Sequence, residues 1–205
     1  MWAGDGTGFT MHVDHPGTPR GFRAALECLA PTTQDSLFIL TSGHGENDAR
    51  GSYLATAFDS RYYARQFKAD LQNLKVGELV VVMQQCFSGG FRYAVKTSNA
   101  APRIAFASAA AWNTRAYNDR DDDCDFAWNS FARDWFAAQS GCYYDDEPLS
   151  TDPDAPPAGN ADAHISAVEA FRYARETAHC LDRPQDAYRP QAVQASRQLR
   201  LDGSH

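Results

Sequence analysis

Three apolar runs punctuate the chain: Leu37-Phe38-Ile39-Leu40, Leu79-Val80-Val81-Val82-Met83 and Ile104-Ala105-Phe106-Ala107. Each has the length and composition of a β-strand, and each breaks into small or glycine residues at its carboxyl end. Between and around them the spacing turns helical. Arg20 to Ala30 sets Phe22, Ala25, Leu26 and Leu29 on one face and stops at Pro31; Arg61 to Leu74 does the same with Tyr63, Phe67, Leu71 and Leu74. Phe126 to Ala138, with Phe126, Phe131, Trp135 and Phe136, and His164 to Ala178 are two more amphipathic segments. Strand-like runs alternating with amphipathic helices predict an α/β fold, a three-layer sandwich around a mostly parallel sheet. The strands carrying Phe38 and Val81 are expected side by side, joined by the Arg61 to Leu74 helix in a right-handed crossover.

The remaining stretches are polar. Residues 1–20 read as loop, with Thr10 to Val13 as a short strand candidate. Glu46-Asn47-Asp48 with Gly51 reads as a polar loop, and Tyr53 to Thr56 as a small hairpin arm. Ala109 to Asp125 is a long polar loop, Asp145 to Asn160 a proline-rich linker, and the chain beyond Pro190 a polar tail that frays. One domain over residues 1–190 and a tail over 191–205 follow. A chain of 205 residues suffices for one large core.

Composition narrows the function. A net charge of −7 with scattered Lys and Arg excludes a nucleic-acid surface. No apolar run approaches the roughly 20 residues of a membrane span. The N-terminus has no basic segment followed by an apolar core, so no signal peptide is read there. The compartment stays open, leaning to the cytoplasm. The five cysteines, Cys28, Cys86, Cys124, Cys142 and Cys180, show no metal-ligand spacing; a Cys124 to Cys142 disulfide fits the sequence.

The candidate chemistry sits where two strands end. Ser36 to Thr41 runs into Ser42-Gly43-His44-Gly45, and Glu78 to Met83 runs into Gln84-Gln85-Cys86-Phe87-Ser88-Gly89-Gly90. In a parallel sheet both breaks reach the carboxyl edge, where open α/β sheets hold their sites. Cys86 and His44 are then a thiol nucleophile and its general base. The glycines after Cys86 predict a helix start, whose free amides favour a thiolate. Ser88 as nucleophile fails the Gly-x-Ser-x-Gly pattern. Trp112, Arg115 and the acidic run Asp119 to Asp125 follow the third strand on the same edge. They are expected to border a cleft whose negative sign leans towards a basic side chain before the cleaved bond.

His44 lies about 40 residues before Cys86, near the interval of about 50 noted for caspases. The paired motifs Ser-Gly-His-Gly and Gln-Gln-Cys-Phe-Ser-Gly-Gly resemble those of the caspase-like cysteine peptidases (clan CD). Ala107-Ser108-Ala109-Ala110, Glu169 to Ala174 and Arg183-Pro184-Gln185 are similar to its bacterial legumain-like members. The resemblance implies a caspase-like fold and a cysteine endopeptidase acting on proteins or peptides. It implies oxyanion donors at the Gly45 and Cys86 amides, and substrate contacts at Gln84, two residues before the cysteine, and at Ser108. It also implies a strand–helix unit before the His44 strand, which is missing or reduced here. The sheet is thus expected to lack a strand beside the His44 strand, or to borrow it from a second chain. An inactive relative that binds peptides or partners through the same cleft is the alternative.

No cofactor is required by this chemistry. Asn160-Ala-Asp162-Ala-His164-Ile-Ser166 leading to Glu169 echoes a calcium loop, but Ala158 and Ala163 stand where Asp and Gly belong. Calcium remains an expectation to test, as an incomplete loop. His12, Asp14 and His15 offer no third ligand nearby and are read as incidental.

Overall fold

The computed structural model describes residues 13–116, 119–120, 127–128, 130–143, 146–177 and 191–193. Its centre is a sheet of strands β1 (Ser36–Thr41), β5 (Glu78–Met83) and β6 (Arg103–Ser108), all parallel, in the order β1-β5-β6. A short strand, Gln191–Val193, adds antiparallel to β6, so these three residues of the expected tail are part of the sheet. The register pairs Phe38 with Val80 and Ile39 with Val81. The sequence reading of adjacent parallel strands holds.

All six residues of β5 are buried. Their alternation divides the core in two. Leu79, Val81 and Met83 pack with Leu37, Ile39 and Phe106 under α1 (Pro19–Leu29), α2 (Ala64–Gln72) and α3 (Arg92–Lys96). Val80 and Val82 face the other way, with Ala105 and Ala107, towards α4 (Ser130–Ser140) and α5 (Ala167–Thr177). Helices therefore cover both faces, as a parallel sheet requires. Each fully buried Val, Leu or Met stabilises the fold by about 1.5–3 kcal/mol relative to exposure.

The register is pinned at the amino edge by polar groups. Ser36, Glu78 and Arg103 are partners across three strands; Ser36 Oγ donates to Glu78 Oε2 (3.1 Å) and Arg103 pairs with Glu78 Oε1 (2.5 Å). A slip by one residue would break this chain and exchange the side chains that pack in the two layers. The candidate residues His44 and Cys86 lie at the opposite, carboxyl edge.

The segment between β1 and β5 differs from its sequence reading. Glu46 to Asp48 is not a loop. It belongs to β2 (Gly45–Asp48), which forms an antiparallel sheet with β3 (Gly51–Thr56) and β4 (Ser60–Tyr63). Tyr63, counted on a helical face, ends β4, and α2 starts only at Ala64. Side-chain bonds build this sheet. Asp48 accepts from the Arg50 N–H (2.7 Å) and the Tyr63 hydroxyl (2.8 Å), which hold its carboxyl below the usual value, and it pairs with Arg61 (3.1 Å). The Tyr53 hydroxyl donates to Glu46. Such a strand has no apolar face for a periodicity reading to find.

α1 follows its prediction closely: the Thr18 hydroxyl caps it through Gly21 N–H (3.0 Å), and Ala30 closes it with φ 42°. The segment from Thr10 to His12 lies outside the described residues. Among the described residues no helix is long and apolar enough to cross a membrane.

Candidate active site

β1 and β5 end together, Thr41 beside Met83. The pairing then runs on: Gln84 N–H donates to the Thr41 carbonyl (2.9 Å), and the Thr41 hydroxyl donates to Gln85 Oε1 (2.7 Å). These bonds carry both chains past the sheet in step. Gly43, with φ 136°, takes a backbone conformation that favours glycine and turns the chain into His44. The two turns meet at Gly45. A Cβ placed there would lie 2.3 Å from the Cys86 carbonyl oxygen and 2.7 Å from Gln85 Cγ. Only glycine lets the turns after the two strands approach this closely.

His44 is exposed and Cys86 half-buried. The His44 carbonyl accepts the Ala55 N–H (2.9 Å), which makes that position of the ladder hydrogen-bonded and the Gly45–Leu54 position non-bonded. The Gly45 N–H therefore faces away from β3. Among the described residues the Cys86 thiol donates to the Ala116 carbonyl (3.5 Å), not to the His44 imidazole. His44 and Cys86 follow strands that end on the same edge, without a direct bond between their side chains.

A helical segment does follow Cys86, but it opens as a 3₁₀ turn behind a left-handed residue. Phe87 sits in the left-handed region (φ 56°), a conformation costly for a bulky residue. A 3₁₀ turn, Ser88–Phe91, follows before the five-residue α3. The Phe87, Gly89 and Gly90 amides donate to the carbonyls of Thr114 (2.8 Å), Ala110 (2.8 Å) and Phe87 (3.1 Å). They are spent on the turn and are not free for a thiolate. Ser88 is fully buried and its Oγ accepts the Ala110 N–H (3.3 Å), which removes it as a nucleophile.

The expected substrate contacts divide. Trp112 (57% exposed) and Arg115 lie open on the carboxyl edge. Gln84 is buried, and its Oε1 accepts the Ala132 N–H (2.9 Å) at the start of α4. Ser108 is also buried and donates to the Ala110 carbonyl (3.1 Å). Both side chains are engaged with backbone groups beneath the carboxyl edge. Of the acidic run, residues 121–125 lie outside the described residues, and only the backbone of Asp119–Arg120 is placed, paired with Ala127–Trp128. Sequence reasoning missed Asn47, whose Nδ2 donates to the Trp112 carbonyl (3.3 Å), and Thr114. The Asn-Thr pair after Trp112 is a turn signal that pointed there.

The calcium-like loop has other employment for its oxygens. Glu169 Oε2 accepts the Ser166 N–H (2.8 Å) and Ser166 Oγ accepts the Glu169 N–H, a capping box on α5. Asp162 Oδ1 caps the His164 N–H (3.0 Å). Burial opposes the charge of Asp154, but the Ala163, Asp162, Asn160 and Ala161 amides outweigh it and hold the carboxyl below its usual value. Among the described residues no group of three or more His, Cys, Asp or Glu is placed to hold a metal ion. Cys28, Cys86 and Cys142 are free thiols; Cys124, the partner considered for Cys142, and His12 lie outside the described residues.

Gly45→Ala puts a methyl group inside the contact with Cys86. Overpacking of this kind costs about 1–3 kcal/mol. Denaturant unfolding is expected to show that loss; unchanged stability would mean the two turns are not in contact in solution. The chain matches no protein-family model and no curated protein.

Proposed function

We propose that this protein is a cysteine endopeptidase of the caspase-like kind, working through Cys86 and His44. The observation that carries the proposal is the contact of the Gly45 and Cys86 backbones at the carboxyl edge of two paired parallel strands. It sets a thiol and an imidazole on one edge from far apart in sequence. In the reaction the Cys86 thiolate attacks a peptide carbonyl and His44 protonates the leaving amine. Water then hydrolyses the thioester, with His44 as base. The Gly45 N–H, turned away from β3, and the Cys86 N–H are the donors for the tetrahedral oxygen. Trp112 and Arg115 border the bound peptide.

One observation favours the second reading, an inactive domain that binds peptides through this cleft: the thiol donates to Ala116 and not to His44. The two separate in one experiment. The protein is offered a peptide library, and Cys86 a thiol-directed covalent peptide inhibitor. Cleavage together with labelling at Cys86 is expected. A folded protein that neither cleaves nor labels overturns the peptidase reading.

The same reading has a strand of a second chain added along β1. Among the described residues β1 pairs only with β5, Leu40 is 43% exposed, and a cavity of about 520 Å³ lies between β1, α1 and the β3–β4 hairpin. In the assembled protein the outward β1 amides should exchange slowly with solvent deuterium. Fast exchange there would remove the second chain.

A further inference from the structure

We propose that the tight turn Ala111–Thr114 positions Cys86 against His44, with Thr114 as its positioning residue; this rests on the dyad reading above. Both halves of the dyad are tied to this one turn. On the histidine side, Asn47 of β2, the strand that begins just after His44, donates Nδ2 to the Trp112 carbonyl (3.3 Å). On the cysteine side, the Phe87 N–H donates to the Thr114 carbonyl (2.8 Å), and the Cys86 thiol to Ala116 just beyond (3.5 Å). The left-handed Phe87 needs such a tie, because a bulky residue does not hold that conformation unaided.

Thr114 closes the turn from both sides. Its Oγ1 accepts the Ala111 N–H (2.9 Å), and its own N–H donates to the Ala111 carbonyl (3.3 Å). Ala111 is 3% exposed, so its amide has no water to turn to when the hydroxyl is removed. Valine keeps the shape of threonine and lacks the acceptor. In Thr114→Val the buried amide is orphaned, the turn opens, and the carbonyls that hold Asn47 and Phe87 move. Thr114 is half-buried and Asn47 exposed, and the bonds that Thr114 makes run to Ala111 and Phe87.

The test uses the full chain and iodoacetamide, with labelling read at each cysteine by peptide mass spectrometry. Exposed Cys28 on α1 is the internal reference. In Thr114→Val the Cys86-to-Cys28 labelling ratio should fall by about tenfold to a hundredfold, the scale of a misplaced reacting group. Thr114→Ser, which keeps the acceptor, should restore it. His44→Ala should lower the ratio in the wild-type background and add nothing in Thr114→Val, because the coupling is already lost. A ratio in Thr114→Val that stays put or rises overturns the proposal, as does a serine variant as damaged as the valine one. Peptide hydrolysis is read separately. A wild type that labels as expected but cleaves nothing removes the peptidase reading and leaves the turn's role standing. Cleavage by Thr114→Val at the wild-type rate removes the turn.

Discussion

Cys86→Ala is expected to abolish peptide hydrolysis while the protein unfolds at nearly the wild-type midpoint. The sulfur is half-buried, makes one weak bond to Ala116, and belongs to neither core layer. Deleting it removes little packing, and a single neutral hydrogen bond is worth about 0.5–1.5 kcal/mol at most. The chemistry has no substitute. Ser88, the hydroxyl nearest in sequence, is fully buried and already accepts the Ala110 N–H. Cys28 lies exposed near the end of α1 and Cys142 beyond the end of α4, neither at the end of β1 or β5. Alanine at either should leave turnover intact. Hydrolysis by purified Cys86→Ala above the assay background would end the assignment of the nucleophile.

His44→Ala should lower kcat by about 10²–10⁴-fold, the usual worth of general acid–base help, with a smaller change in KM. The imidazole is exposed and the residue's structural bond is made by its backbone carbonyl to Ala55, which alanine keeps. The fold should therefore survive, and the vacated position leaves room for added imidazole to restore part of the rate. Kinetics at saturating peptide, with and without imidazole, decide it. Wild-type kcat in the variant would remove His44 from the mechanism and leave the thiol without its base.

The turns that carry the two candidate residues were legible because glycine marks them. Gly43 and Gly45 flank His44, and each is required, one by its φ of 136° and the other by its closeness to Cys86. The framing residues were not legible. Gln84 and Ser108 occupy positions that the family resemblance assigns to substrate, yet their side chains hold Ala132 and Ala110. A polar side chain in sequence does not disclose whether backbone or ligand will meet it. Asn47 and Thr114 lay in segments read as loop, where no periodicity operates.

The sequence by itself determined the layers. Unbroken apolar runs such as Leu79 to Met83 are stable only when covered on both faces, and the amphipathic helices between them supply the covers. It also determined that His44 and Cys86 end strands on one edge, since parallel strands present their carboxyl ends together. Only the tertiary structure decided what those ends touch. The β2–β4 sheet, the left-handed Phe87 and the Ala111–Thr114 turn are held by hydrogen bonds between segments distant in sequence. Such bonds depend on ångström-scale placement, which an apolar pattern does not encode.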